Sequence, residues 1–425
     1  MNASRHPSGE CEQECDPLLF QDLPTDVLLS IFRYCNIHSL LRLSQTCKRI
    51  NNIISEDFVW LERSKRVNVS NQVSTQVKNR SFSILHCKDR CRVSQNWNLG
   101  RYEETIFLHN KTKYMPWLQL EKDIVWFSRG RQILALKRRA NSIATVPALS
   151  FKPHKEDVSR FVVKNGKVVS GGRDGSLSLW NLSKNRLLSE EKHAHNLDIT
   201  GVDFDGQESI VTGSKDERIK VWRLEDRKIV LKYNVAAEDR VWSVAYQSGS
   251  NSLLCYGTSG LRPSKCPLGF FDIERNHIFS LTCNNLKRGA GILDILWEDL
   301  NTVVTCGYDR MVRMWDIRTL SCVRFWSDPF DVVLYSLASD YNHTLLCGTA
   351  QHGRVQMWDK RMTRASQMYF MNSKHSSPSY SLAFDATHLF VALDQSLNMM
   401  DFSGFRHRSV AKDYRNFSVL TDFLG

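Results

Sequence analysis

The chain has 425 residues, 42% of them hydrophobic, with 57 Lys and Arg against 45 Asp and Glu and a formal net charge of +12. That supplies apolar material for a large core, yet no apolar run approaches the roughly 18 to 20 residues of a membrane-spanning helix, so no membrane span is expected. The positive surplus invites a nucleic-acid reading, but where the charge sits decides more than its size.

Residues 1–17 read as a disordered tail. They are polar and contain no apolar h-region, so no signal peptide is expected and the chain is placed in the cytoplasm or nucleus. In that reducing setting the twelve cysteines are mostly small buried hydrophobes. Cys11/Cys15 and Cys87/Cys91 share a Cys-x3-Cys spacing. A structural zinc needs four convergent ligands, however, and these pairs are far apart with no His pattern beside them. No metal site is assigned.

Residues 18–62 carry a helical period. Leu23-Pro24 precedes Thr25 to Phe32, in which Val27, Leu28, Ile31 and Phe32 fall on one face. Pro24 suits a helix start and Asp26 favours its first turn. Leu40, Leu43 and Cys47 form a second stripe, followed by Ile50, Ile53 and Ile54, with Trp60 as an anchor. So short a helical unit is marginal alone, and one reading is a bundle that merely caps the larger part of the chain.

Residues 63–92 hold Arg63, Lys65, Arg66, Lys78, Arg80, Lys88, Arg90 and Arg92 against Asp89 alone. Over half of the surplus charge therefore sits in one connecting segment. It reads as a basic linker with a solvated face, contact with an acidic partner being the sharper alternative.

From residue 93 to 403 the sequence repeats. Val168 to Trp180 matches Ile210 to Trp222 almost position by position, and further copies end at Trp315 and Trp358, a period of about 42 residues. Weaker copies run from Leu253 to Asp272, with an insertion around Pro263 to Pro267, from Phe390 to Asp401, and from Ile124 to Leu136. An aliphatic or aromatic pair three residues apart precedes the copies: Val158/Phe161, Ile199/Val202, Val241/Val244, Ile292/Ile295 and Leu334/Leu337. Each unit reads as four short strands with regular turns, the pattern of a β-propeller blade. Seven units are counted, the first, fourth and seventh degenerate. Val93 to Gly100 is expected to close the ring by pairing with the last blade, removing the open edges. His154, Ser170, Asp174 and Trp180 can form one buried network, and His195, Thr212, Asp216 and Trp222 a second. Both are read as structural, because a His-Ser-Asp match without geometry is a weak catalytic signal. Residues 404–425 read as a C-terminal tail.

These two halves resemble known modules. The repeat resembles WD40. Leu-Pro-x-x-Val-Leu-Leu-x-Ile-Phe-x-Tyr from Leu23, then Ser39 to Arg49, then Trp60, closely resembles an F-box. Together they resemble the F-box/WD-repeat substrate receptors of cullin-type ubiquitin ligases over residues 18–403. Val93 to Arg101, Met115 to Glu121 and Glu238 to Ser243 resemble one member of that group in particular. The resemblance implies a mainly β fold, a seven-bladed WD40 propeller preceded by a small all-α F-box domain. It implies a non-catalytic subunit of an SCF-type ligase: the F-box binds a Skp adaptor, and through it cullin and RING subunits, while the propeller captures protein targets for ubiquitination and degradation. The gain would be proximity. No cofactor, catalytic residue, membrane or nucleic-acid partner is expected. Leu23, Pro24, Val27, Leu28 and Ile31 would bind the adaptor.

In receptors of this family that read phosphorylated segments, two slots per blade line the top of the channel and carry several Arg residues. Here the first slot holds Ser159, Thr200, Trp242, Leu293, Tyr335 and Ser381 or Tyr380; the second holds Arg173, Lys215 and Tyr308. Arg240 adds a third cation beside Trp242. The target site is therefore expected at Arg173, Lys215, Arg240, Trp242, Tyr308, Tyr335 and Tyr380, suited to a mixed apolar and acidic peptide. Phosphorylation of the target is left open, and the alternative is that the aromatics simply plug the channel. A WD40 scaffold outside the ubiquitin system, a nucleic-acid binder using the 63–92 segment and a propeller enzyme remain the competing classes.

Overall fold

A computed structural model describes residues 19–140, 142–247, 252–262, 265–281, 286, 288–371, 376–404 and 409–410. The tails expected at 1–17 and 404–425 (apart from Gly404 and the backbone of 409–410), Cys11, Cys15 and Pro263 lie outside the described residues.

Seven antiparallel sheets form the propeller. Their innermost strands are Leu118–Leu120, Val158–Lys164, Ile199–Phe204, Val241–Tyr246, Ile292–Trp297, Leu334–Ser339 and Ser381–Phe384, for blades 1 to 7. The innermost strand of blade 7 packs against that of blade 1, so the ring is closed. Side chains bolt neighbours together: Gln119 exchanges two hydrogen bonds with the backbone of Val163, at 2.6 and 2.8 Å. Asp203 accepts from Tyr246 N and Asp294 from Leu337 N, each at 2.8 Å.

The repeat chemistry works most fully in blade 3. His195 meets Asp216 at 2.9 Å and Thr212 Oγ1 at 2.7 Å, and Trp222 Nε1 donates to the same hydroxyl at 2.9 Å. Blade 5 keeps the Trp315 to Thr305 bond, 2.8 Å, while Arg313 takes Asp309. In blade 2 the expected four-residue network does not form. Ser176 comes between His154 and Asp174, bonding both at 2.6 Å, and His154 Nε2 meets Ser170 at 2.9 Å. Trp180 stacks on Phe151 instead, with centroids 4.8 Å apart, and its indole N–H has no partner among the described residues. In blades 1, 4 and 7 the Trp position is taken by Leu136, Phe271 and Met400, which fill the core without a polar network. The turn after the Asp demands a left-handed residue, supplied by Gly175, Glu217 and Arg310 in blades 2, 3 and 5.

Among the described residues six α-helices precede the ring: α1 (Thr25–Tyr34), α2 (Ile37–Leu43), α3 (Lys48–Ser55), α4 (Asp57–Arg66), α5 (Thr75–Arg80) and α6 (Cys87–Leu99). The first four bury Leu28, Phe32, Leu40, Ile50, Ile54 and Trp60 in one cluster, joined by Cys87 and Cys91 of α6. Asn36 caps α2 by accepting from Ser39 N, and Trp60 Nε1 donates to Ile54 O at 2.6 Å.

Two expectations are corrected here. Val93 to Gly100 is not a strand. Cys87 and Cys91, then Val93 and Trp97, are buried at a four-residue spacing, which is a helix period. Gly100, at φ 61°, ends α6 in the left-handed conformation. The ring is instead closed by the next segment, Arg101–His109, the outer strand of blade 7, pairing from Glu103↔Asp401 to His109↔Ser396. Nor is 63–92 a solvated linker. Val69, Ser70, Asn71, Gln72, Val77, Ser81, Cys87 and Cys91 are buried, and the segment lies against blades 6 and 7.

Candidate functional site

Each innermost strand starts at one face of the disc, here called upper, and ends at the lower face. The helical region docks on the lower face. Val69 N donates to Thr344 Oγ1 at 2.9 Å and Asn71 to Asp340 at 2.7 Å, both in the first turn of blade 6. Trp97 stacks on Phe402 at 3.7 Å and donates to Ala386 O. Arg361 bridges Asp359, Arg66 O and Asn68. At the centre of the contact Arg138 and Asp385 form an ion pair with both side chains 1% exposed, and Arg138 also donates to Arg80 O at 2.9 Å. Burial pushes the Asp385 carboxyl up, but His388 and Arg138 outweigh it and hold it far below the usual carboxylate range.

The basic residues of 63–92 explain themselves in this setting. Arg63 caps α1 by donating to the carbonyls of Phe32, Arg33 and Cys35. Arg80 donates to Ser339 O and lies 4.4 Å over Phe384. Arg90 donates to Leu85 O and Asn71 O, and Arg92 to Ser403 O. Four of the eight cations thus serve as backbone clamps.

Of the residues expected to bind the adaptor, Pro24 and Val27 are exposed and Leu23 and Ile31 half-buried. Leu28 is the exception: it is wholly buried in the helical core and cannot face a partner. Leu19 and Phe20, which lead into α1, are exposed and were not singled out by the sequence pattern. Arg49 holds that entry by donating to Gln21 O and, at 2.8 Å, to Leu23 O. Exposed apolar side chains gathered on a small helical unit mark a contact surface.

The upper mouth of the channel is a cup of about 420 Å³. Most of its inward side chains arise from one device. The innermost strands of blades 2 to 6 each carry a β-bulge, at Ser159, Thr200, Trp242, Leu293 and Tyr335, which leaves that residue unpaired and turns it to the channel. Ser159 and Thr200 spend their hydroxyls on the neighbouring blade, donating to Ile199 O and Val241 O. The bulkier three reach the cup with Tyr308 and Tyr380. Trp242 and Tyr308 meet edge to face at 6.4 Å, Tyr335 and Tyr380 at 5.5 Å. Burial, then Tyr308, pushes the Tyr335 phenol up to about 12, so it stays a donor.

The cup collects Arg173, Lys215, Trp242, Tyr308, Tyr335 and Tyr380 as expected from the sequence, but not Arg240. That residue is exposed and does not line the cup; its carbonyl ties back to Ser259 N, at 2.9 Å. In its place stands Arg160, which the slot pattern missed. Following the bulge, it reaches from blade 2 to blade 5, donating to Leu293 O at 3.0 Å, lying 3.6 Å from Asp294 and stacking 3.5 Å over the Trp117 ring. Lys215 pairs with Asp198 at 2.6 Å. Arg173 has no carboxylate partner among the described residues and rests its guanidinium on Met115 Sδ at 2.7 Å.

Among the described residues no group of three or more His, Cys, Asp or Glu could hold a metal, and no helix is long and apolar enough to cross a membrane.

Comparison with known proteins accords with this architecture. A family model described as F-box-like matches residues 20–66, and one described as WD domain, G-beta repeat matches 145–181, 187–223 and 280–316. The chain is 34% identical over 386 residues to F-box/WD repeat-containing protein 4 (dactylin) of Homo sapiens, covering 89% of this chain and 92% of that protein. Its Mus musculus counterpart is 33% identical over the same shares. More distant is WD repeat-containing protein 18 of Danio rerio, 26% identical over 40% of this chain and 43% of that protein.

Proposed function

The chain belongs to the F-box/WD repeat family, and from that premise we propose that it is the target-recruiting, non-catalytic subunit of an SCF-type ubiquitin ligase in the cytoplasm or nucleus. In this reading the helices α1 to α4 bind a Skp-type adaptor, which joins cullin and RING subunits. The upper cup holds the protein to be ubiquitinated and so marked for degradation. The observation that carries the proposal is the opposition of the two surfaces. The helical region is clamped to the lower face by buried contacts, and the cup opens on the upper one. A rigid body with a ligase at one end and a target at the other raises the effective concentration of target lysines at the ligase, and the chain needs no reacting group of its own.

The adaptor half is tested with side chains that are exposed, so that the fold is left alone. Pro24→Ala with Val27→Ala is expected to weaken co-purification of a Skp-type adaptor by about thirtyfold, the equivalent of about 2 kcal/mol for an interface anchor, while far-UV circular dichroism stays unchanged. Undiminished adaptor capture by this double variant would sink the proposal.

A further inference from the structure

Resting on the reading of the cup as the target site, we infer that the cup recognises an unphosphorylated segment that presents one carboxylate side chain next to an aromatic or large aliphatic one.

Four charged residues line it: Arg160, Arg173, Asp198 and Lys215. Lys215 is balanced by Asp198, and Arg160 is held by Asp294 just beneath. One cation, Arg173, is left uncommitted among the described residues. A phosphoserine or phosphothreonine carries about −1.5 to −2 charges and three strong acceptor oxygens. Seated here it would leave about half to one negative charge desolvated and unpaired, a costly state. A single carboxylate matches Arg173 in charge and can take its planar guanidinium bidentately. It would displace only the Met115 thioether, a weak acceptor.

The neutral groups point the same way. The hydroxyls of Ser159 and Thr200, which might have added donors for a phosphate, are spent on blade-to-blade bonds. The remaining wall, Trp242, Tyr308, Tyr335 and Tyr380, runs through blades 4 to 7 and offers ring faces and edges to an apolar side chain. Arg173 stands close enough to Tyr380 to draw its phenol pKa down against the effect of burial. The acid and its apolar neighbour would therefore sit side by side. Arg160 and Trp117 cross beneath them, so the segment lies over the mouth without threading the channel.

The test uses the full-length chain bound to its adaptor and a phage-displayed library of random, unphosphorylated dodecapeptides. Selection is expected to enrich peptides with one Asp or Glu adjacent to an aromatic or large aliphatic residue. Synthetic versions should lose at least tenfold in affinity on Arg173→Gln and on Trp242→Ala, each variant keeping adaptor binding. Replacing the acid by phosphoserine should bring no gain. Binding that is indifferent to Arg173→Gln, or that rises tenfold or more with phosphoserine, overturns the inference while the cup remains the target site. Enrichment no higher on wild type than on Trp242→Ala overturns the cup itself as the target site.

Discussion

The two faces of the propeller handle charge in opposite ways. On the lower face Arg138 of blade 1 pairs with Asp385 of blade 7 and donates to Arg80 O, Arg361 of blade 6 pairs with Asp359 and donates to Arg66 O, and the guanidinium of Arg80 is hydrogen-bonded to Ser339 O. On the upper face Arg173 is free of any carboxylate among the described residues, and aromatic edges stand open. A permanent contact inside one chain can pair its buried charges with its own residues. A surface kept for a visiting partner must leave some unsatisfied.

That contrast breaks most readily at Arg138. Arg138→Met should leave the buried Asp385 carboxylate without its guanidinium partner, held only by Thr387, His388 and Phe82 N among the described residues, and destabilise the chain by about 3–5 kcal/mol. Chemical denaturation followed by tryptophan fluorescence would measure it, and a loss below 1 kcal/mol would mean that the lower face is not held by this pair.

A pH titration sharpens the comparison from the upper side. His154 is buried, and burial, partly opposed by Asp174, draws its pKa down to about 4. The folded state therefore favours neutral imidazole. The stability this gives is fully present above the unfolded value near 6.5 and is lost as pH falls from about 6.5 toward 4. The loss should be on the order of 2–3 kcal/mol over that window, and His154→Gln should flatten it. An equal slope in wild type and variant would assign the effect elsewhere.

Thr212→Val probes the complete network of blade 3, removing the shared partner of His195 and Trp222. The expected cost is about 1–3 kcal/mol. Ser170→Ala in blade 2 should cost less, since no indole N–H depends on that hydroxyl. The smallest effect is expected at the rim of the cup. Arg173→Gln should change stability by no more than about 0.5 kcal/mol in thermal unfolding, which would set it apart from Arg138.

How much of this was legible in the sequence follows from periodicity. The blades were, because each copy repeats the same turn and the same strand edge, and so the seven-bladed ring and the helical module came out as expected. The segment from Val67 to Gly100 was not, because its buried residues answer to partners about 300 positions away, such as Thr344 and Ala386. Four of its basic residues, Arg63, Arg80, Arg90 and Arg92, look solvated until the carbonyls they clamp are in view. Even so, the four-residue spacing of Val93 and Trp97 is a helical signal visible in the sequence alone. At the cup, counting slots found the bulged positions but not the consequence of the bulge. Shifting the register at Ser159 sends Arg160 across the channel, which a strict two-residue alternation does not foresee. Arg240 was favoured by nearness in sequence to Trp242, which carries no information about direction.

The closing strand has one further consequence, in the order of synthesis. Arg101–His109 is made directly behind α6, before the other six blades, and its partner Ser396–Asp401 only after them. The disc cannot be fastened until all seven blades exist, and such distant pairing is slow to form. A message cut short anywhere before blade 7 would yield an open ring. It would also lack Ala386, Phe402 and Asp385, on which the helical region rests. Unfinished copies would thus lose the closed ring and the seat of the helical region together.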